Sequence, residues 1–217
     1  MNGRKLSNFK YDTYLMIGSF LLFLLIAFLS MNNMLATFDQ AIISWFTDNT
    51  SATIMTIMQT VSKIGSSEII LILTFVIGIY FLVKKMWRHS IFVVFLMFGG
   101  IVFNFILKVL FQRERPGEMS VIEAFGYSLE IPSYSFPSGH TMRSMMLFAF
   151  LIYMCVLLFK NSRIKLLCVV LLSIMIACVA VSRIVVGAHF PSDVIAAGTV
   201  SIAWFYFCLK IFRLGKE

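Results

Sequence analysis

At 217 residues the chain is 60% hydrophobic and 13% charged, whereas soluble domains run nearer half apolar and about a quarter charged. Four prolines and twelve glycines exclude a linker or low-complexity chain. The net charge of +8 does not mark a nucleic-acid partner, because the basic residues punctuate apolar runs and form no continuous face. The composition is that of a single integral membrane domain over 1–217.

Residues 1–13 form a polar, basic tail carrying Arg4, Lys5 and Lys10. The first apolar run, 14–30, is long enough for a permanent anchor, too long for a signal-peptide core and followed by no small-x-small cleavage site. Between 31 and 66 the pattern is mixed. Phe38, Ile42, Ile43 and Phe46 recur at helical spacing beside Asp39, Gln40 and Asp48, and 52–64 is apolar but short. Both pieces read as helices lying at the outer interface rather than as full spans. Further spans are predicted over 69–83, 90–111, 140–159, 166–181 and 194–212, giving six, with a polar outer loop over 112–137. The fold class is therefore all-α and polytopic. Cys155, Cys168, Cys178 and Cys208 all lie inside apolar runs, at spacings that match no zinc pattern.

Basic residues set the orientation. With the N-terminus inside, Arg4, Lys5, Lys10, Lys84, Lys85, Arg88, Lys160, Arg163, Lys165, Lys210, Arg213 and Lys216 all fall on the cytoplasmic side of a cell membrane. Lys63, Lys108, Arg113, Arg115, Arg143 and Arg183 fall on the other. Both termini are then cytoplasmic and the chemistry faces outward.

That chemistry sits in three stretches. Lys108 precedes Arg115-Pro116 by seven residues, about two helical turns, so the two cations can share a helix face until Pro116 loosens it. Pro137-Ser138-Gly139-His140 opens a long helix. Its first amides and dipole end suit an anion, and His140 lies in the first turn. Ser182-Arg183 ends one span, and His189 stands four residues before Asp193 at the start of the next. Asp193 is placed to accept from Nδ1–H of His189, leaving Nε2 to attack. Together these stretches offer three fixed cations, backbone amides and two imidazoles at one depth. A tetrahedral oxyanion fits such a set, since arginine forks match phosphate geometry. No acidic cluster for magnesium or zinc is present, so a metal-independent reaction with no cofactor is expected.

The motifs K-x6-R-P, P-S-G-H and S-R-x5-H-x3-D, in that order, resemble the three signatures of the type 2 phosphatidic acid phosphatase superfamily. Its membrane members are lipid phosphate phosphatases, and bacterial ones of this length include the phosphatidylglycerophosphate phosphatase B type. The likeness runs over roughly 60–210 and fills Lys108, Arg115, Pro116, Pro137, Ser138, Gly139, His140, Ser182, Arg183, His189 and Asp193. It implies a helical core similar to that of vanadium haloperoxidases, which share the motifs but are soluble. It also implies that His189 is the nucleophile, Asp193 its orienter and His140 the acid. Lys108, Arg115, Ser138, Gly139 and Arg183 would hold the phosphate. The expected substrate is a lipid phosphate taken from the bilayer, phosphatidylglycerol phosphate first, with phosphatidate or another lipid phosphate as further substrates. Two alternatives stand beside it: undecaprenyl pyrophosphate phosphatase activity, and a lipid or anion transporter, against which the absence of internal repeats counts. No obligatory protein partner is implied. The loop over 113–136, with Glu114, Glu118, Glu123 and Glu130, is placed to gate the site or select headgroups.

Overall fold

A computed structural model of the chain describes residues 9–116, 121–124, 127–132 and 134–212. It is a helical bundle with one small hairpin. The elements are α1 (Phe9–Met31), α2 (Ala36–Asn49), α3 (Ala52–Lys63), α4 (Ser67–Val83), α5 (Trp87–Phe111), β1 (Val121–Ala124), β2 (Tyr127–Pro132), α6 (Gly139–Leu158), α7 (Ser162–Val185) and α8 (Pro191–Phe212).

Local chemistry sets most helix starts. Ser51, Ser66 and Ser138 cap α3, α4 and α6 by accepting from the amides of Ile54, Ile69 and Thr141, and Asn161 does the same for α7. Pro191 opens α8, where its missing N–H costs nothing. α1 starts five residues before its apolar run because its polar first turn has partners. Lys210 Nζ donates to Thr13 Oγ1 at 2.9 Å, and Asp12 is buried.

Five helices (α1 from Lys10, α5, α6, α7 and α8) are long and apolar enough to cross a membrane. α4, at 17 residues, stands at the lower limit and follows α3 across a 43° bend. With it the bundle reaches the six expected spans. The bend depends on Gly65: a Cβ there would lie 2.8 Å from Val179 Cγ1 and 2.9 Å from Ser144 Oγ, so only glycine lets the elbow seat against α6 and α7.

α8 packs against α1, α5 and α6, α6 against α7, and α4 against α5. Phe92, Leu96, Met97, Met146, Phe150 and Val200 form the center of the core. Lipid tails are as apolar as these side chains, so close fit rather than water exclusion holds the helices together. Polar ties also cross between helices, such as Trp204 Nε1 on α8 to the Leu96 carbonyl on α5 at 3.0 Å and Ser90 Oγ on α5 to the Gly78 carbonyl on α4 at 2.9 Å. α7 leaves Leu166, Leu171 and Ile174 exposed, as a lipid-facing helix should.

Charge divides between the two ends of the bundle. At one end Arg88 donates to the Phe212 carbonyl at 2.8 Å and Lys210 to Thr13. At the other end lie Arg113, Arg115, Arg143 and Arg183, held by contacts to α2, α3, the α3–α4 elbow and the α7–α8 turn. The predicted outer loop carries β1 and β2, paired antiparallel with Ile122 opposite Leu129 and Glu123 opposite Ser128. Its side chains from 117 to 133 lie outside the described residues, and so does the gating role expected of Glu118, Glu123 and Glu130. Arg4, Lys5, Arg213 and Lys216 also lie outside them.

Candidate active site

The first stretch reaches the site in two ways. Lys108 stands in the last turn of α5 and donates from Nζ to the Tyr134 carbonyl. The helix then stops at Phe111, where the predicted span over 90–111 also ends. Gln112 takes a left-handed conformation (φ 47°) and its N–H returns to the Lys108 carbonyl. Arg115 therefore comes to the site from a loop, not from the same helix face. It donates to the Ala188 carbonyl at 3.4 Å, and burial holds its guanidinium below the usual arginine range, an effect that Asp193 opposes.

The second stretch is tied down by two partners. Asn104 Nδ2 on α5 donates to the Pro137 carbonyl at 3.2 Å. The Ser138 amide donates to the Asp193 carbonyl at 3.2 Å, and Ser138 Oγ accepts from Thr141. Expected to offer its amide to an anion, Ser138 instead joins the second stretch to the third. Gly139, the first residue of α6, keeps an amide of the kind that a helix start leaves without an intrahelical partner. His140 follows, with Nδ1 3.4 Å from Arg143 NH2. Arginine only donates, so Nδ1 accepts, and in the neutral ring the proton sits on Nε2. Arg143 reaches back to the Gly65 carbonyl at 3.4 Å. It thus turns toward the α3–α4 elbow beside His140.

The third stretch is the turn from α7 to α8. Gly187 supplies its left-handed step (φ 69°), and the amides of Ala188 and His189 return to the Arg183 carbonyl. Arg183 donates from NH1 to Ser62 Oγ on α3, while its Nε is buried with no hydrogen-bond partner. His189 is 1% exposed and Asp193 fully buried. Nδ1 of His189 lies 3.5 Å from Asp193 Oδ2, at the limit of contact, and makes no hydrogen bond. Catalytic hydrogen bonds are often this long before substrate binds. The same oxygen of Asp193 accepts from the Phe190 amide at 2.9 Å, and its Oδ1 accepts from Arg113 at 2.6 Å.

These side chains act on one another. Burial pushes the His189 imidazole well below its ordinary value, and the charges of Lys108, Arg115 and Arg183 push it further; the Ser135 backbone opposes them. His189 is therefore neutral at physiological pH, with a lone pair available. His140 lies within electrostatic reach of Arg183, Arg143, His189 and Arg115. All eight sequence-predicted site residues thus gather at one end of the bundle. Next to His140 and Arg183 a cavity of about 240 Å³ extends toward Gln59, Ser62, Lys63 and Ser66 of the α3–α4 elbow.

Sequence reasoning missed several contributors: Asp39, Ser62, Gly65, Asn104, Arg113 and Ser192. Asp39 is 1% exposed and accepts from Arg113 NH2 at 2.8 Å and from the Ser192 amide and hydroxyl at 2.9 and 2.6 Å. Asn104 and Arg113 carried a weak signal, each being polar within or just past an apolar run.

Comparisons with known proteins give the family and the fold. Residues 89–216 match the family model of the PAP2 superfamily. Phosphatidylglycerophosphatase B of Bacillus subtilis (strain 168) is 27% identical over 197 residues, covering 89% of this chain and 92% of the relative. The crystal structure of a transmembrane PAP2 type phosphatidylglycerolphosphate phosphatase from Bacillus subtilis superposes with a TM-score of 0.79 at 24% identity, covering 93% of this chain and 97% of that one. Aquifex aeolicus LpxE superposes with a TM-score of 0.57 at 20% identity, over 80% and 95% of the two chains. A family match over more than half the length, spanning the segments that carry Lys108, His140, Arg183 and His189, places the chain in the PAP2 superfamily.

Proposed function

We propose that this chain is a metal-independent lipid phosphate phosphatase that works through a phosphohistidine, with phosphatidylglycerol phosphate as its first substrate. The observation that carries the reading is the neutral, buried His189 set among Lys108, Arg115 and Arg183 with Asp193 behind it. Nε2 of His189 attacks phosphorus and the ester P–O bond breaks. His140 gives its Nε2 proton to the leaving lipid alkoxide. Asp193 faces Nδ1–H and offsets the positive charge that the ring gains. His140 then takes a proton from water, whose oxygen attacks phosphorus as the P–N bond breaks, and inorganic phosphate leaves. Lys108, Arg115, Arg183 and the Gly139 amide hold the equatorial oxygens, supplying the charge stabilization on which phosphoryl transfer mainly depends. The helix start at Ser138 aims that amide.

The cavity beyond His140 and Arg183 supports the substrate choice. Its lining includes Lys63, Gln59 and Ser66, which suit a headgroup with a second phosphate and hydroxyl groups. Phosphatidylglycerol phosphate has both near its terminal phosphate, whereas phosphatidate has neither. The relative's name agrees. Undecaprenyl pyrophosphate, which also has a second phosphate, is the competing substrate. Phosphate release in detergent from all three lipids decides among them. The Lys63→Gln variant is expected to lose roughly two- to fivefold in kcat/KM on phosphatidylglycerol phosphate, the scale of one exposed ion pair, and little on phosphatidate. An equal loss on both would remove Lys63 from headgroup recognition.

The orientation belongs to the same proposal. The excess of Lys and Arg in the sequence segments predicted on the side where α1 begins and α8 ends supports cytoplasmic termini and a site at the outer leaflet. In sealed right-side-out vesicles, lipid supplied from outside should be hydrolyzed. Hydrolysis only after the vesicles are opened would reverse the assignment.

A further inference from the structure

The charges behind His189 do not balance as a simple His–Asp pair would. A phosphorylated imidazole that keeps its Nδ1 proton is cationic and needs net negative charge beside it. Asp193 alone cannot supply this, because Arg113 NH1 lies 2.6 Å from its Oδ1 and cancels it. Arg113 is shared, however. Its NH2 lies 2.8 Å from Asp39 Oδ2, and the guanidinium stacks 4.3 Å over the Phe190 ring. Asp39 also takes both the amide and the hydroxyl of Ser192, the residue before Asp193. The set Asp193–Arg113–Asp39 therefore carries a net charge of −1, and without Asp39 it would carry none.

We propose that Asp39 is a positioning residue of the active site, a second carboxylate that offsets Arg113 and so restores to Asp193 the negative charge His189 needs. The proposal rests on His189 being the nucleophile. It also gives α2 a purpose. α2 lies before the family match at 89–216, yet it completes the charge balance of a site whose motifs all lie within that match.

The groups facing His189 are Lys108 from α5, Arg115 from the following loop, His140 from α6, Arg183 from α7 and Asp193 from α8. All of them stay constant when Asp39 and Arg113 are changed, so the pH profile of kcat/KM reads the change. In Asp39→Asn the set becomes neutral, the His189 proton is held less tightly and the acid limb should move to lower pH. kcat should fall about tenfold because the cationic intermediate loses its counter-charge. In Arg113→Gln the set carries −2 and the acid limb should move to higher pH. The double variant restores −1 and should bring the limb back to the wild-type position. The lipid's own titration is common to all four proteins and cancels. A purely structural role would lower the melting temperature and kcat without moving the limb in opposite directions. That result, or an order that does not follow the charge, would overturn the proposal. Any two variants that fold suffice to compare with wild type. If activity survives without His189, the phosphatase mechanism itself has failed, and that outcome is separate from an unmoved pH limb in a His189-dependent enzyme.

Discussion

A His189→Ala protein should release phosphate from lipid at least ~10⁴-fold more slowly than wild type, the scale of loss when a covalent nucleophile is removed. The imidazole lies 1% exposed between Asp193 and three cations. Nothing beside it can take over the attack: His140 keeps its Nδ1 on Arg143 and carries its proton on Nε2. Removing a buried ring opens a cavity and costs some stability, so the melting temperature is read beside the rate. Turnover measured with phosphatidylglycerol phosphate in detergent, alongside the melting temperature, checks this. Wild-type turnover in the variant would refute the nucleophile assignment.

Arg183→Gln should cost about 10²–10³ in kcat, the usual price of one donor to a developing phosphoryl charge. Arg183 closes α7 beside His140, and its Nε is buried with no partner, a donor that a bound phosphate oxygen would satisfy. Its NH1 is fixed by Ser62, so the fork is oriented before substrate arrives. Arg183→Lys should recover little of the loss, because an ammonium cannot reproduce the planar fork. A kcat/KM loss that falls entirely on KM, with kcat intact, would make Arg183 a binding residue with no preference for the transition state.

The reactive core is legible in the sequence because its parts are short local motifs beside helix ends. Pro191, Ser138 and the four-residue step from His189 to Asp193 state their geometry locally, and the structure keeps it. The spans are legible from their apolar length, except that their ends run further wherever a polar residue finds a partner, as Thr13 does. What could not be read depends on residues far apart in the chain. Asp39 looked like the wet face of an interfacial helix, yet it is buried because Arg113, 74 residues later, meets it. The Ser138 amide looked available to an anion until the Asp193 carbonyl took it. In each case local propensity was overridden by a tertiary contact that no window of sequence contains.

The central claim is that Lys108, Arg115, His140, Arg183 and His189 serve one anion. A structure determined with vanadate, a mimic of five-coordinate phosphorus, tests it most directly. Vanadium bonded to His189 Nε2, with its oxygens contacted by Lys108, Arg115 and Arg183 and its apical oxygen facing His140, is the predicted result. Vanadate bonded to His140, or seated away from the three cations, would contradict it.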